Sequence, residues 1–404
     1  MARDLQDWLT TYLEYTENSE SPLSYHTWCG LSTIAGALQR RVYLTWGIGQ
    51  VIYPNLYVVL IGPSGRTRKG VALGIAKALL KQVPGVTVTP ESSSGRQAMI
   101  LAMKRASVNF QDPSDGKIKF HCSVTAFSEE LSVFLGQSDI AYLSNLTDWY
   151  DSKDDWEYET VGRGKDTLNG LCLNLVGGTA PDWIQSMIPH EAVGGGFTSR
   201  ILFIVEEVKR KLVPEHNMTP RELDLQGSLL LDLERISKLS GEMHMLPETK
   251  ALYVSWYMEQ DRLSSTGKPA INDHRFAGYC ERRATHLRKL LLICSASRGD
   301  DLFLTKEDFH RALSLLEGAE VNMHKTFGGF GKNKNSDATE TIKNYIESVK
   351  VTTRKLVLSR FYRDVDAFTL SQVEDTLRQA GHIRVQVLVQ EQDKAYHWIP
   401  KEGT

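Results

Sequence analysis

Near-continuous apolar runs alternate with segments of helical periodicity through the first half of the chain. Such runs are typical of strands covered on both faces of a sheet, and apolar residues three and four positions apart indicate helices. Because the two kinds of segment alternate, the pattern predicts an α/β fold with a parallel sheet between layers of helices. The predicted strands are 42–46, 51–53, 56–61, 86–89, 124–127, 170–176 and 201–205. The predicted helices are 4–18, 24–40, 71–82, 97–106 and one around 130–135, with a loop or hairpin at 109–119.

The pattern changes after residue 210. Long helical repeats without strands predict an all-helical domain, and the Gly- and Asn-rich segment 327–335 has the composition of a flexible linker. Three more helical segments and an alternating hairpin then predict a winged helix-turn-helix. The predicted organisation is a helical segment packed on the core at 1–50, the α/β core at 51–210, the helical domain at 211–330 and the winged-helix domain at 336–404.

Composition narrows the class of protein. Hydrophobic residues make up 41% and charged residues 24% of the 404 positions, as in ordinary globular proteins of two or three domains. A net charge of −2 gives no basic field over the whole molecule, so any nucleic-acid contact must be local. The five Cys residues are scattered without a C-x-x-C pair, which predicts buried thiols of a reducing compartment. With no membrane-length apolar stretch and no signal-peptide pattern, we expect a cytoplasmic protein without a membrane partner.

The apolar run 56–61 ends in a Gly-rich turn, then a Lys, then a helical segment. Glycines let backbone N–H groups point into one concavity, the helix offers its positive end, and the Lys reaches the terminal phosphates. The segment therefore predicts a phosphate-binding loop for ATP with Mg²⁺. The residues assigned to ATP are Gly62, Pro63, Ser64, Gly65, Arg66, Thr67, Arg68, Lys69 and Gly70.

This loop departs from the standard pattern G-x-x-x-x-G-K-[ST]. Lys69 lies seven residues after Gly62, and Gly70 stands where a Mg²⁺-binding hydroxyl belongs, so Thr67 or Ser64 would supply that hydroxyl. The alternative interpretation is an ordinary strand–turn–helix with basic residues at the helix start. Cations are unfavourable at that end unless an anion lies there, which favours a bound polyphosphate.

Two adjacent acids follow the apolar run 124–127. Nucleotide hydrolysis needs a carboxylate at the end of a neighbouring strand, to hold Mg²⁺ or to polarise the attacking water. Glu129 or Glu130 fits that position, and Glu129 is the predicted metal ligand together with Thr67. The alternative is a helix N-terminus with Ser128 as its cap and acids in the first turn.

Two further polar residues are candidates for catalysis. Thr179 follows the next apolar run and is predicted to sense the γ-phosphate, or alternatively to cap a helix that begins at Pro181. Arg200 follows three glycines and precedes the last apolar run, which suits an arginine finger that reaches a neighbouring subunit's nucleotide. Three other Arg residues are weaker candidates for that role and, with Lys289, are predicted to form a solvated basic face: Arg282, Arg283 and Arg288.

Nucleic-acid contact requires local basic and aromatic groups. A candidate hairpin carries Arg163 and Lys165, and a candidate loop at 185–196 carries His190. The predicted winged helix carries Arg354 and Lys355, where it would contact either DNA or a protein.

Taken together, the chain resembles the replicative helicase-like ATPases of phages and mobile elements, which have a RecA/AAA-type P-loop NTPase core and are often associated with primases. The resemblance covers roughly residues 4–325. It lies in Ser21-Pro-Leu-Ser-Tyr-His26-Thr-Trp28, Ala35-x-x-Leu-Gln-Arg-Arg-Val42, Gly62-Pro-Ser-Gly65-x-x-Arg68-Lys69, Ser128-x-Glu130-Leu-Ser, Gly177-Gly-Thr-x-Pro181 and Gly195-Gly-Phe-x-Ser-Arg200.

The resemblance implies an ATP-driven ring, usually a homo-hexamer, that moves along single-stranded DNA. It also implies a separate primase or other replication proteins as partners. Two rival hypotheses keep the same core: an ATP-dependent helicase loader or replication initiator that binds DNA through the winged helix, and a degenerate ATPase that serves as a DNA-binding scaffold.

Overall fold

The structure is a computed structural model that describes residues 3–89, 95–136, 139–160, 164–188, 194–215, 217–327, 336–363, 365–388, 390 and 392–400. Residues 1–327 form one compact unit and residues 328–404 a second. The predicted boundaries after residues 50 and 210 both lie within the first unit. Among the described residues, no helix has the length and apolar character needed to cross a membrane.

The first unit combines helices with short and long strands. Its helices are α1 (Trp8–Tyr15), α2 (Leu23–Leu38), α3 (Lys69–Leu80), α4 (Gly95–Arg105), α5 (Leu131–Leu135), α6 (Ile140–Tyr150), α7 (Pro181–Met187), α8 (Pro220–Ile236), α9 (Pro247–Ser265), α10 (Ala277–Arg298) and α11 (Lys306–Met323). Its strands are β1 (Val42–Trp46), β2 (Gln50–Ile52), β3 (Tyr57–Ile61), β4 (Ser107–Gln111), β5 (Ile118–Ser128), β6 (Asp155–Thr160), β7 (Gly164–Asn169), β8 (Leu171–Thr179), β9 (Ile201–Val205), β10 (Gly241–Glu242), β11 (His244–Met245) and β12 (Phe303–Leu304).

A five-stranded sheet forms the centre of the first unit, in the order β4-β5-β8-β3-β9. The strands β5, β8, β3 and β9 are parallel, and β4 is an antiparallel edge strand. Every residue of β3, β8 and β9 is buried, as a strand covered on both faces requires. The predicted α/β class with a parallel sheet is therefore confirmed.

The connections of this sheet reverse direction beside β3. After β3 the chain passes through α3 to a segment that bridges β5 at Val88 and Thr125, beyond β8. After β8 the chain passes the other way, over β3, to β9. Adjacent strands whose connections leave in opposite directions open a crevice at their carboxyl ends, which is where open α/β sheets bind ligands. The predicted strand 86–89 is reduced to this single bridge.

The region after β9 is mainly helical but not entirely so. The two-residue strand β10 pairs in parallel with β1, and β11 pairs in parallel with β12. The prediction of an all-helical domain without strands was therefore wrong in this respect. Pairing between β1 and β10 joins this region to the N-terminal part of the chain.

The second unit has three helices and a three-stranded antiparallel sheet. They are α12 (Ser336–Val349), β13 (Val351–Thr353), α13 (Arg354–Arg360), α14 (Ala367–Gln379), β14 (Ile383–Leu388) and β15 (Asp393–Trp398). The sheet order is β13-β15-β14. Apolar side chains from all three helices and the sheet form one core, which includes Ile346, Val357, Leu370, Val373 and Tyr396.

Candidate functional site

Two hydrogen bonds fix the chain at the point where β3 ends and the loop begins. The Gly62 N–H donates to the carbonyl of Thr179 at 3.3 Å, and the Tyr25 hydroxyl donates to the carbonyl of Ile61 at 2.7 Å. A Cβ at position 62 would lie 2.6 Å from the Tyr25 hydroxyl and 2.6 Å from the Thr67 hydroxyl. Only glycine fits this position, so the chain leaves β3 by a turn that no side chain could enter.

The helix α3 begins at Lys69 without a side-chain cap and without an acid in its first turn. Its N-cap residue, Arg68, has left-handed backbone geometry with φ at 53°. The first N–H groups of a helix have no partner within the helix, and they carry the positive end of its dipole. The start of α3 therefore has the properties of an anion site.

Lys69 lies against the loop that precedes it. Its ammonium group donates to the carbonyl of Gly62 at 2.6 Å. Partial burial lowers the pKa of Lys69, and the negative charge of Glu130 opposes that shift. A half-buried ammonium that bonds a loop carbonyl is positioned to exchange that carbonyl for a phosphate oxygen.

The carboxylate of Glu129 lies at the start of α3. A Cβ on Gly70 would be 3.2 Å from the Glu129 Oε2 atom. A Cβ on Gly178, near the end of β8, would be 3.0 Å from the Glu129 carbonyl and 3.6 Å from the Lys69 Cβ. The ends of β3, β5 and β8 thus bring a Lys and an acid together, at the crevice that the topology predicts.

Glu129 and Glu130 are both exposed and precede α5, so they are not in its first turn. The Ser128 hydroxyl donates to the Glu130 carbonyl at 2.9 Å, and Glu130 itself is the N-cap residue. Ser128 therefore does not cap this helix, and the two acids lie at its N-terminus but not in its first turn.

Mg²⁺ in nucleotide sites is usually held by one or two carboxylates together with substrate phosphates. Glu129 and Glu130 supply such carboxylates beside the loop, so the residues present fit the ion. The described residues contain no cluster of three or more His, Cys, Asp or Glu that would hold a metal by itself. Thr67 is completely buried, with its hydroxyl 3.4 Å from the Pro63 carbonyl, whereas Ser64 is exposed.

The other residues predicted to contact ATP lie either in the loop or at the end of β8. Thr179 is the last residue of β8 and is buried, with its hydroxyl 3.3 Å from the Ala180 carbonyl. Arg66 and Gly65 are exposed in the loop. Ala180, not Thr179, is the N-cap residue of α7. Thr179 therefore meets the loop through its backbone, because its carbonyl accepts from Gly62.

A segment before α2 fixes the other side of the loop. Arg68 forms an ion pair of 2.7 Å with Glu20, and the Ser21 hydroxyl donates to the Arg68 carbonyl at 2.8 Å. Hydrogen bonds from Lys209 and Arg68 lower the pKa of Glu20 to about 2. Sequence reasoning missed Glu20 and Tyr25 as supports of the loop. Tyr25 lies within the motif that begins at Ser21, whereas Glu20 precedes that motif, and the contacts of both with the loop are visible only in the structure.

Arg200 lies at the opposite edge of the sheet. It precedes β9, whose first residue, Ile201, pairs with Tyr57, so roughly 13 Å of strand separates it from its own loop. Its side chain is buried and forms an ion pair of 2.6 Å with Asp151. It also donates to the Gly196 carbonyl at 2.7 Å. The structure does not bring Arg200 to the loop of the same chain.

Around Arg200 lies a group of polar residues, all buried except Asp151, here called the amino-edge network. It comprises Asn55, Asp151, Arg200, His286 and Lys289. Lys289 donates to Asn55 Oδ1 at 2.6 Å, and burial lowers the pKa of Lys289 to about 7. Burial likewise lowers the pKa of His286 to about 3.

The solvated basic face predicted for α10 does not exist. The structure buries three of its four members, Arg283, Arg288 and Lys289, while Arg282 is partly exposed. Arg283 forms an ion pair of 2.7 Å with Glu320. These long side chains reach polar partners inside the unit, because α10 packs against other elements along most of its length.

The residues predicted to contact DNA are distributed over both units. Arg163 and His190 lie outside the described residues. Lys165 is on the β6–β7 hairpin, which the structure contains as predicted, and forms an ion pair of 2.7 Å with Glu157. On the same hairpin the rings of Trp156 and Tyr158 stack at 5.8 Å.

In the second unit, Arg354 is used internally. It bonds Glu374 Oε2 at 2.9 Å, the Ala367 carbonyl at 2.7 Å and the Ser371 hydroxyl at 2.9 Å. Lys355 is exposed at the start of α13. Arg354 thus joins α13 to α14, a role that competes with contact to DNA.

Comparison with protein-family profiles found no match for this chain, and comparison with curated proteins found none.

Proposed function

We propose that this protein is an ATP hydrolase that moves along single-stranded DNA as a ring, in the manner of a phage-type replicative helicase. The observation that carries the hydrolase is the meeting of Lys69, the uncapped start of α3 and the carboxylate of Glu129 at one crevice. A cation, free N–H groups and adjacent acids are the parts that phosphoryl transfer requires.

Each residue has a stated task in this proposal. When bound, ATP would supply the phosphoanhydride bond that is cleaved, and Mg²⁺ would neutralise the negative charge of the phosphate oxygens. Lys69 and the N–H groups at the start of α3 bind and orient the phosphate oxygens. Glu129, which lies at the start of α3, would hold Mg²⁺, and Glu130, which is exposed beside it, would orient the attacking water. Arg200 has a structural role in this proposal, because its guanidinium group is bonded to Asp151 and to the Gly196 carbonyl.

Action on DNA rests on the resemblance and on two structural features. The β6–β7 hairpin exposes Lys165 and carries the partly buried ring of Tyr158, which stacks on the buried ring of Trp156. The second unit has the helix and strand order of a winged helix-turn-helix, which supports that assignment. The ring, its hexameric state and the separate primase are part of this proposal.

One observation favours the second candidate, a degenerate ATPase that acts as a DNA-binding scaffold. No side-chain hydroxyl stands at position 70, and the hydroxyl of Thr67 is buried beneath the loop. The proposed hydrolase must therefore hold Mg²⁺ through carboxylates, water and phosphates, with the exposed Ser64 as the remaining source of a loop hydroxyl. That requirement makes hydrolysis the property to measure first.

The test is ATP turnover with and without single-stranded DNA, followed by strand displacement on a forked duplex. The proposal expects turnover that single-stranded DNA stimulates, together with displacement that requires ATP. Turnover without displacement would favour the loader or initiator. ATP binding without any turnover would favour the scaffold and overturn the proposed function.

A further inference from the structure

The residue before Lys69 has a backbone conformation that is uncommon for its type. The standard phosphate loop has a Gly immediately before its Lys, and Arg68 stands in that place here. Arg68 nevertheless adopts the left-handed conformation, with φ at 53° and ψ at 38°. A residue with a Cβ atom enters that region at a cost in free energy, whereas Gly enters it freely. The chain therefore holds a strained residue directly before α3.

Other helices of the same unit begin in the usual way. Thr219 and Thr305 precede α8 and α11 with extended backbone geometry, and the side chain of each accepts a hydrogen bond from the first turn. The side chain of Arg68 makes no such bond. A left-handed residue followed by a right-handed helical residue instead turns successive N–H groups toward one point, which forms an anion-binding concavity. The conformation of Arg68 therefore sets the direction of the N–H groups of Lys69 and Gly70.

Two adjacent residues from a distant segment bond Arg68 and are here called the Arg68 clamp: Glu20 and Ser21. The Arg68 Nε atom donates to Glu20 Oε2 at 2.7 Å, and the buried Ser21 hydroxyl donates to the Arg68 carbonyl at 2.8 Å. The same carbonyl accepts from the Val71 N–H at 3.1 Å. The side chain and the carbonyl of Arg68 are thus both fixed, by bonds to residues 47 and 48 positions earlier in the chain.

Glu20 is itself fixed by the segment that follows β9. Its Oε1 atom accepts from the Lys209 ammonium at 2.8 Å and from the Val213 N–H at 3.2 Å, and its carbonyl accepts from the Arg210 N–H at 2.9 Å. A surface ion pair usually contributes little, in part because two long side chains must be ordered to form it. Here the carboxylate is already ordered by other bonds, so it can hold Arg68 without that cost.

We propose that Glu20 and Ser21 are positioning residues of the phosphate loop, which hold Arg68 in the left-handed conformation that a Gly would adopt without help. The clamp thereby keeps the N–H groups of Lys69 and Gly70 directed at the phosphates. This inference rests on the proposed function, because it assumes that the loop binds phosphates. It gives Arg68 a backbone role in place of the direct contact with ATP that the sequence predicts.

Two substitutions at position 68 test the proposal, because both remove the guanidinium group and only one tolerates the left-handed conformation. We expect Arg68→Gly to bind ATP with Mg²⁺ about five- to thirtyfold more tightly than Arg68→Ala, the range that the cost of a left-handed residue implies. If Arg68 bound phosphate directly, the two variants would have lost the same contact. Equal ATP affinity of Arg68→Gly and Arg68→Ala would therefore overturn the proposal.

The role of Glu20 is tested in the same way. Glu20→Ala should weaken ATP binding by about five- to thirtyfold, and adding Arg68→Gly to this variant should restore most of the affinity, because Gly needs no clamp. The matched control is Glu234→Ala, which removes a carboxylate that forms an ion pair of 2.7 Å with Lys238 at the other end of the unit's helix α8. Its ATP affinity should equal that of the wild type. A loss in Glu20→Ala that Arg68→Gly does not restore would overturn the proposal.

Glu20→Ala also removes the partner of Lys209 and Val213, so its folding is checked by thermal unfolding. If that variant does not fold, Ser21→Ala replaces it, since the Ser21 hydroxyl acts on the Arg68 carbonyl. The same restoration by Arg68→Gly is expected there, and its absence would overturn the clamp. Wild-type protein that binds neither ATP nor inorganic tripolyphosphate would overturn the proposed function as well. Wild-type binding together with equal affinities of the two position-68 variants would overturn the clamp alone.

Discussion

The two edges of the central sheet both carry charged residues, but these residues differ in burial and in their bonds to the rest of the chain. At the carboxyl edge, Lys69 is half-buried and Glu129 and Glu130 are exposed. At the amino edge, Arg200 and Lys289 are buried and bonded to partners within the chain. Residue type alone therefore does not identify a site. What distinguishes the carboxyl edge is that its charged side chains are half-buried or exposed, so a ligand can reach them.

Electrostatics explains why buried charges at the amino edge and accessible charges at the carboxyl edge serve different purposes. A buried cation is tolerated when protein dipoles and acids replace its lost hydration, and it then has little capacity left for a ligand. An uncapped helix end next to an ammonium group keeps that capacity. The amino-edge network is therefore expected to contribute to stability, and the carboxyl edge to binding and catalysis.

The largest effect is expected from removing the ammonium group at the carboxyl edge. Lys69→Ala should lower ATP turnover by at least about 10²–10³-fold, because a fixed charge on the transferring phosphate is lost. The measurement is steady-state phosphate release. The matched control is Lys81→Ala, which removes an exposed Lys at the other end of α3. Equal turnover of the two variants would show that the loop is not the catalytic site.

The two acids should separate in their effects. Glu130→Gln is expected to bind ATP normally and to hydrolyse it about 10²–10⁴-fold more slowly, as loss of a water-orienting carboxylate implies. Glu129→Gln should instead raise the Mg²⁺ concentration needed for half-maximal turnover, because Glu129 lies at the start of α3. Magnesium titrations of both variants make the comparison. Normal turnover in both would place the catalytic carboxylate elsewhere.

A change at the amino edge should affect stability rather than nucleotide binding. Arg200→Ala removes the shorter of the two ion pairs of Asp151 and one of the two hydrogen bonds to the Gly196 carbonyl, which should cost about 1–3 kcal/mol of unfolding free energy. Asp151 is partly exposed, so solvent screens the lost charge and keeps this cost moderate. Denaturant unfolding measures the cost, and ATP titration should show unchanged affinity.

The alternative for Arg200 is action on a neighbouring subunit's nucleotide. In that case, mixing Arg200→Ala with Lys69→Ala subunits would restore DNA-stimulated hydrolysis, because each mixed interface could join an intact loop to an intact Arg. Rescue by mixing would contradict the assignment of the amino edge to stability and the carboxyl edge to catalysis. Its absence, with the loss of stability above, would support it.

The smallest expected effect is a change in the pH dependence of stability. Burial holds the pKa of Lys289 near 7, below its ordinary value of 10.5. Between these values the unfolded chain binds more protons, so the Lys289 contribution to stability rises with pH by up to about 1.4 kcal/mol per unit. Lys289→Met should remove this rise, so the variant's stability relative to wild type should fall from pH 7 to pH 8.5.

Exposed Lys81→Met serves as the control for the pH measurement, and its stability relative to wild type should not change with pH. A constant difference between Lys289→Met and wild type would contradict the assignment of a buried, weakly basic Lys. His286 behaves in the same direction at lower pH. Its pKa of about 3 lies below the ordinary 6.5, so its contribution is lost as pH falls below about 6.5.

The strands of the core could be predicted from the sequence because a buried strand appears there as a short apolar run with polar or Gly-rich ends. The predicted ranges 42–46 and 201–205 coincide with β1 and β9, and 56–61 differs from β3 by one residue. Two-residue strands such as β10 and β11 were missed, since a pattern of period two cannot appear in two residues. The amphipathic signal of α10 was misinterpreted because its cations find buried partners.

The loop itself could be located from the sequence, but its supports could not. The order of strand, Gly-rich turn and Lys is local, and it predicted a helix at 71–82, two residues later than α3, which begins at Lys69. The contacts of Glu20 with Arg68 and of Tyr25 with Ile61 join segments that are 36 to 48 residues apart. Asp151 and Arg200 are 49 residues apart. Pairings of this kind follow from the topology of the sheet, which periodicity does not encode.

The most direct test of the central claim is an experimental structure of the protein with Mg²⁺ and a non-hydrolysable ATP analogue. We predict that the Lys69 ammonium leaves the Gly62 carbonyl and bonds the terminal phosphate, with Mg²⁺ beside Glu129 and with Arg200 still bonded to Asp151. A nucleotide bound elsewhere, or one whose phosphates contact the amino-edge network while Lys69 still bonds Gly62, would contradict it.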